Sequence, residues 1–92
     1  MLVLYVAKKK KKVTNAEIER ELHKIGARLK NLRKAKGVSR AELFAYEIDM
    51  ASAQYTRYER GEDMYVSTLV RLIKEHKLTL QDFFGKEFDE KK

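Results

Sequence analysis

Polar side chains recur at helical spacing between Ser52 and Arg60, in the segment SAQYTRYER. Those able to form hydrogen bonds in this segment are Ser52, Gln54, Thr56, Arg57 and Arg60, while Ala53 offers only a methyl group. The guanidinium of Arg57 can donate two parallel hydrogen bonds to O6 and N7 of a guanine, which discriminates that base by ~1–3 kcal/mol. The alternative for Arg57 is a contact with a phosphate, which carries no direct sequence information.

Two short helices joined by a tight turn have to position these side chains. Apolar or aromatic residues predict one buried face on each helix, with Met50 in the turn: Phe44, Ile48, Met50, Tyr55 and Tyr58. Ala45 is small enough for the helices to cross closely. Asp49 stands where the first of the two helices ends, and aspartate tolerates the positive φ that a tight turn requires. The pattern is typical of a helix-turn-helix, whose second helix enters the major groove.

The segment QYTRYERG, residues 54–61, resembles the end of the recognition helix in the Cro and phage-repressor (XRE-type) family of bacterial regulators. That family's usual ending is a hydrophobic residue, Ser or Thr, Arg, a hydrophobic residue, Glu, Arg or Asn, and then Gly. The resemblance extends from Ile25 to about Phe84. It implies a compact all-α, lambda-repressor-like bundle of about five helices that binds double-stranded DNA as a homodimer, with half-sites about one helical turn apart.

The resemblance also implies roles for individual residues. Ser52, Ala53 and Arg57 fall on the positions that most often contact bases. Phosphate contacts are expected from Gln54 and Thr56, which flank a buried Tyr55, and from Arg60 just beyond the helix. Tyr55 and Tyr58 themselves are expected in the core, although exposed tyrosines could stack on single-stranded bases.

Three further positions follow from the same resemblance. An arginine late in the first helix meets the glutamate of the Glu-Arg-Gly ending in this family, which predicts a structural ion pair between Arg33 and Glu59. Ala41 stands where the family often has a phosphate-binding glutamine, so we expect Arg40 to supply that contact. Asp49 replaces the usual glycine of the turn.

Composition narrows the class of protein. The chain has 92 residues, enough for one small domain, and it has no cysteine for a disulfide or a thiolate zinc site. No apolar run approaches the roughly 20 residues that span a bilayer. The lysine run follows the first apolar residues instead of preceding them, the reverse of a secretory signal. We therefore expect a cytoplasmic protein without a membrane segment.

The net charge of +7 is unevenly distributed. Lys8–Lys12 are five consecutive lysines, and residues 22–41 contain seven basic side chains and no acidic one. Such a stretch suits a phosphate backbone and predicts salt-dependent affinity. Solvated lysines and arginines on an ordinary helix surface are the alternative.

The predicted organisation has three parts: an apolar and poly-lysine arm (1–13), the helix-turn-helix domain (14–85) and a charge-balanced tail (86–92). The arm could form a strand that pairs with its copy, pack on the body, or be a disordered terminus. Its lysines could also lie along DNA.

The first predicted helix starts at a capping box, Thr14-x-x-Glu17, and ends at Gly37. Its buried stripe consists of Ile18, Leu22, Ile25, Leu29 and Leu32, of which the first two need a partner surface of their own. A second capping box, Ser39-x-x-Glu42, predicts the start of the second helix at Ser39. The remaining helices are predicted from Ser52 to Glu59, from Val66 to near His76, and from Leu80 to Phe84, the last capped by Thr79 and Asp82.

Nothing in the sequence indicates an enzyme, a cofactor or a metal site. His23 and His76 lie on different predicted helices and are expected to be solvated, and Ser39 and Ser52 suit helix caps better than nucleophiles. Not all of Phe83, Phe84 and Phe88 are needed in a core, so an exposed remainder would form a dimer surface.

The predicted function is sequence-specific DNA binding by a transcriptional regulator, a repressor acting by occupancy. One alternative is an antitoxin-like DNA-binding protein whose main partner is another protein. Another is an interaction module that kept the fold and lost DNA binding.

Overall fold

The computed structural model describes residues 12–85 and residue 88. The predicted arm before Lys12 and the predicted tail, apart from Phe88, lie outside the described residues. This part of the chain contains five α-helices and no strand: α1 (Asn15–Ala35), α2 (Ala41–Glu47), α3 (Ser52–Glu59), α4 (Val66–Glu75) and α5 (Leu80–Phe83). The predicted all-α bundle is confirmed.

The ends of α1 follow from its caps. Thr14 Oγ1 accepts a hydrogen bond from the Glu17 amide at 3.1 Å, which satisfies one of the amides that a helix start leaves without an intrahelical partner. Gly37 follows the helix with φ +91°, a conformation that costs glycine little. The helix therefore has the 21 residues that place Ile18 and Leu22 on its early turns.

The predicted start of the second helix at Ser39 is wrong. α2 begins at Ala41, with Arg40 as an N-cap in extended conformation (φ −116°, ψ 134°) and no side-chain cap. Tertiary hydrogen bonds explain the difference, because Val38 is tied to the end of α1. Its carbonyl accepts from Arg33 Nη1 at 2.9 Å, and its amide donates to the Arg33 carbonyl at 3.3 Å.

The turn between α2 and α3 has the predicted form. Asp49 adopts φ +60°, and the Met50 amide donates to the Ala45 carbonyl at 2.9 Å. The Arg71 guanidinium on α4 donates to the Ile48 carbonyl and so binds the end of α2. α3 then begins and ends at the predicted residues.

One core joins all five helices, and it is made of Leu29, Phe44, Ala45, Ile48, Tyr55, Tyr58, Leu72, Ile73 and Phe83. The expectation that Tyr55 and Tyr58 are buried is confirmed. Phe83 is also buried, whereas Phe84 is half exposed and its ring packs edge-on against Phe83 and Phe88. No helix among the described residues is both long enough and apolar enough to cross a membrane.

The expectation that His76 is solvated is wrong. Its side chain is 8% exposed and stacks on the Phe44 ring, with centroids 5.1 Å apart and planes 10° from parallel. His76 follows α4 directly, and its backbone amide donates to the Ile73 carbonyl of that helix. The pKa of His76 is lowered to about 4, mainly by burial, and the charge of Lys36 contributes to the same shift.

A backbone crossing at Gly26 sets the position of α3. A Cβ added at Gly26 would lie 2.5 Å from the Glu59 carbonyl oxygen and 2.7 Å from that of Tyr58. Those distances leave no room for a methyl group, so the end of α3 rests directly on the α1 backbone. The small side chain of Ala45, which is fully buried, predicts a close approach there, whereas no pattern in the sequence singles out Gly26.

Candidate nucleic-acid interface

The outer face of α3 is exposed and centred on Arg57. Because a helix turns by 100° per residue, Ala53, Arg57 and Arg60 lie on one stripe, opposite the buried Tyr55 and Tyr58. All three residues of the stripe are exposed. The structure therefore brings the predicted base-contacting Ala53 and Arg57 together with the predicted phosphate-contacting Arg60.

The other predicted contact residues of α3 differ in how free their polar groups are. Gln54 Nε2 donates to the Tyr58 hydroxyl at 2.7 Å, and Thr56 Oγ1 donates to the Ser52 carbonyl at 2.5 Å. A threonine hydroxyl bonded to the carbonyl four residues earlier competes with outside partners. Gln54 and Thr56 are therefore held within the helix, while Ser52 is exposed in its first turn.

Arg57 has a partner that sequence reasoning missed. Its Nε lies 3.4 Å from Glu62 Oε1, and the two side chains are 47% and 57% exposed. Two backbone bonds bring them together: the Gly61 amide donates to the Tyr58 carbonyl at 3.0 Å, and the Glu62 amide donates to the Arg57 carbonyl at 3.1 Å. These bonds, with Gly61 at φ +98°, form a Schellman motif.

That motif gives the signal by which Glu62 could have been found. In a Schellman ending, the residue after the glycine returns to the residue five positions before it, and the two side chains commonly touch. The glycine of the Glu-Arg-Gly ending thus implies a contact between positions 62 and 57. Here the contact is an ion pair instead of the usual apolar one.

The amino ends of α2 and α3 have no side-chain cap. Their N-cap residues are Arg40 and Ala51. α4 is likewise uncapped at Tyr65, whereas α1 and α5 are capped by the hydroxyls of Thr14 and Thr79. The first amides of an uncapped helix point outward and attract anions. The Arg40 side chain is exposed beside the start of α2, with its Nε 3.7 Å from Glu42 Oε1.

The predicted ion pair between Arg33 and Glu59 is present and bidentate. Arg33 Nε donates to Glu59 Oε2 at 2.8 Å, and Nη2 donates to Oε1 at 2.9 Å. The Tyr55 hydroxyl donates to the same Oε2 at 2.5 Å. The side chains of the pair are only 4% and 7% exposed, so the carboxylate is removed from water and held by three hydrogen bonds.

The contacts among Arg33, Tyr55 and Glu59 shift the pKa values of Arg33 and Tyr55. Hydrogen bonding to Glu59 raises the pKa of Arg33. Burial is the main cause that raises the pKa of Tyr55, and its bond to the Glu59 carboxylate adds to the rise. Arg33 stays charged and Tyr55 stays neutral at physiological pH, which keeps the end of α3 bound to α1.

Several basic side chains of residues 22–41 form contacts within the protein and are engaged there instead of being presented to a ligand. Besides Arg33, Arg28 Nη2 donates to the Asp82 carbonyl at 3.0 Å, and its guanidinium lies 5.5 Å from the Phe83 ring. Lys36 Nζ donates to the Glu75 carbonyl at 3.3 Å and lies 5.8 Å from the Phe44 ring. These three side chains bind other elements of the same protein, so the run of basic residues overstates the charge presented to a phosphate backbone.

A groove of about 590 Å³ lies beside the first turns of α1 and faces the loop after α3. Ile18, Leu22 and His23 line one side, and Arg60 and Asp63 line the other. Ile18 remains 48% exposed, so the described residues do not bury the early part of the predicted apolar stripe.

Comparison of the chain with protein-family models, with curated proteins and with solved structures gave no match. The exposed face of α3 and the buried contacts behind it are therefore the basis on which a function is inferred.

Proposed function

We propose that this protein is a cytoplasmic, sequence-specific double-stranded DNA-binding transcriptional regulator of the Cro and phage-repressor type. α3 lies in the major groove, and two copies of the chain read paired half-sites as a homodimer. The protein acts as a repressor that regulates by occupying its operator.

One observation supports this proposal most strongly: Arg57 is exposed in the last turn of α3, at the middle of the helix's outer stripe, and the opposite face of the same helix is fixed. A reading side chain needs a defined position, because bidentate recognition of guanine depends on geometry. The bidentate Arg33–Glu59 pair and the crossing at Gly26 fix the position of α3 relative to α1.

Within this proposal Ser52, Ala53 and Arg57 contact bases. Phosphate contacts come from Arg40 and Arg60, whose charges are exposed, and from the uncapped amides at the starts of α2 and α3. Gln54 and Thr56 contribute to phosphate binding only by exchanging or sharing their hydrogen bonds within α3.

The test is selection of bound duplexes from random DNA at about 150 mM salt, where nonspecific phosphate attraction is partly suppressed. We expect a palindromic motif with guanine at a fixed place in each half. Arg57→Ala should then weaken binding to that motif by ~1–3 kcal/mol and relax the choice at the guanine.

Lys30→Ala is the matched control, since it removes one exposed positive charge from α1 instead of α3. It should weaken all duplexes slightly and leave the guanine preference intact. Absence of any enriched motif, or equal behaviour of the two variants, would reject sequence reading by α3.

A second candidate function is that of an antitoxin-like protein that binds DNA and holds another protein. The exposed Ile18 beside the groove and the half-exposed Phe84 favour this candidate, because apolar side chains at the edge of a small fold suit a partner surface. Co-expression with the product of the adjacent gene, followed by light scattering, should show a defined hetero-complex that Ile18→Glu disrupts.

A further inference from the structure

Glu62 leaves part of the Arg57 guanidinium free. Its carboxylate approaches Arg57 at Nε, so the two terminal nitrogens, Nη1 and Nη2, keep their protons for another acceptor. An arginine whose Nε faces a carboxylate presents those two nitrogens as a fork, which matches the paired O6 and N7 acceptors of guanine.

The pair between Arg57 and Glu62 is not needed to hold the fold. Both side chains are about half exposed, and exposed ion pairs contribute little to stability. The Schellman ending depends on the backbone amides of Gly61 and Glu62, so it does not require a carboxylate at position 62. A carboxylate placed beside a reading arginine is also unfavourable for simple attraction to DNA, because it repels phosphates.

We propose that Glu62 is a positioning residue for Arg57, and that it increases discrimination between sequences while lowering affinity for DNA in general. The inference rests on the proposed function. Glu62 holds the Arg57 fork toward a base edge, whose acceptors are uncharged, and opposes the alternative in which Arg57 turns to a phosphate. When another base replaces the guanine, Arg57 loses its hydrogen bonds to that base and gains no contact with a phosphate to replace them.

The experiment compares Glu62→Gln with Asp63→Asn. Each variant removes one negative charge from the same exposed loop, but only Glu62 pairs with Arg57. The Met64 amide donates a hydrogen bond to Asp63 Oδ1 at 2.9 Å. Asparagine at position 63 keeps a side-chain oxygen that can accept the same hydrogen bond. Binding constants are measured for the selected duplex and for the same duplex with its guanine replaced, at several salt concentrations.

We expect Glu62→Gln to reduce the ratio of the two binding constants by about twofold to fivefold, the range of an exposed ion pair. The reduction arises mainly because the replaced duplex binds more tightly. Asp63→Asn should strengthen binding to both duplexes and leave their ratio unchanged. In an Arg57→Ala background, Glu62→Gln should no longer change the ratio.

Suppose that the wild-type protein prefers the selected duplex, and that Glu62→Gln and Asp63→Asn have the same ratio of binding constants for the two duplexes. That result would overturn the inference and leave the proposed function standing. A wild-type protein with no preference between the two duplexes would overturn both. Thermal unfolding of the two variants provides the folding control, and their midpoints should agree with that of the wild type.

Discussion

The carboxylate of Glu59 shows how a single residue can serve both fold and site. It accepts two hydrogen bonds from Arg33 and one from Tyr55, at the end of the helix that carries Arg57. Removing one partner of a buried pair is costly, because the other is left as an uncompensated charge. The resemblance implied the pair and the spacing predicted a buried Tyr55, but no sequence pattern indicated that the Tyr55 hydroxyl donates to Glu59.

At the same scale, His76 should make stability depend on pH. Because its pKa is lowered to about 4 in the folded protein, the unfolded chain binds the proton more readily, and protonation favours unfolding. The stability that comes from burying the neutral imidazole is fully present above about pH 6.5 and is lost as the pH falls toward 4. The free energy of unfolding should drop by about 2–3 kcal/mol between pH 7 and pH 4.5 from this residue.

Urea denaturation at the two pH values measures this drop. His76→Phe keeps a ring against Phe44 and removes the titrating group, so it should lose less stability on acidification than the wild type. The exposed His23 is the control, and His23→Gln should behave as the wild type does. Parallel losses in the wild type and in His76→Phe would assign the pH dependence to other groups.

At the scale of elements, boundaries set by local chemistry could be predicted, and those set by tertiary contacts could not. The bounds of α3 follow from its apolar spacing and from Gly61 after it, and the start of α5 follows from the capping box of Thr79 and Asp82; both agree with the structure. The start of α2 does not, because Arg33 holds the Val38 carbonyl from another helix. Burial of His76 likewise depends on how α4 meets Phe44, which no local pattern reports.

The candidate site divides in the same way. The exposed stripe of α3 could be predicted because its residues lie within two helical turns. The engagement of Arg28 and Lys36 by α5 and α4 could not, since a basic side chain gives no sequence signal of which surface it will meet.

The crossing of α1 and α3 leads to a test at Gly26. Gly26→Ala should lower the free energy of unfolding by about 2 kcal/mol or more, because the new methyl group meets backbone carbonyls that cannot rotate away. Helix propensity alone would give the opposite result, since alanine is favoured over glycine by ~1 kcal/mol.

Ala27→Gly at the neighbouring exposed position isolates the propensity effect and should cost about 1 kcal/mol. Thermal or urea unfolding measures both variants. A Gly26→Ala protein more stable than the wild type would show that the two backbones are farther apart than the structure has them.

For the whole molecule, charge should govern affinity more than specificity. Lys8–Lys12 supply five of the positive charges in a chain of net charge +7. Replacing these lysines by five glutamines should weaken binding to every duplex. The slope of log affinity against log salt should become shallower by ~0.9 for each phosphate that the lysines no longer neutralise.

The ratio of binding constants for the selected and the guanine-replaced duplex should stay as in the wild type, because phosphate contacts carry no direct sequence information. Fluorescence anisotropy at several salt concentrations gives both quantities. An unchanged slope would show that these lysines make no phosphate contact, whereas a changed ratio would give them a part in reading sequence.

The direct contact of the α3 backbone with α1 at Gly26 also bears on the thermodynamics of recognition. A helix seated on another backbone, with its last carboxylate held by three hydrogen bonds, loses little conformational entropy when a ligand arrives. Duplex binding by such a preformed surface should have a heat-capacity change set by the interface alone, without the additional decrease that accompanies folding of a disordered segment. Calorimetry over a range of temperatures would therefore report on the rigidity of the free protein through the heat of its complex.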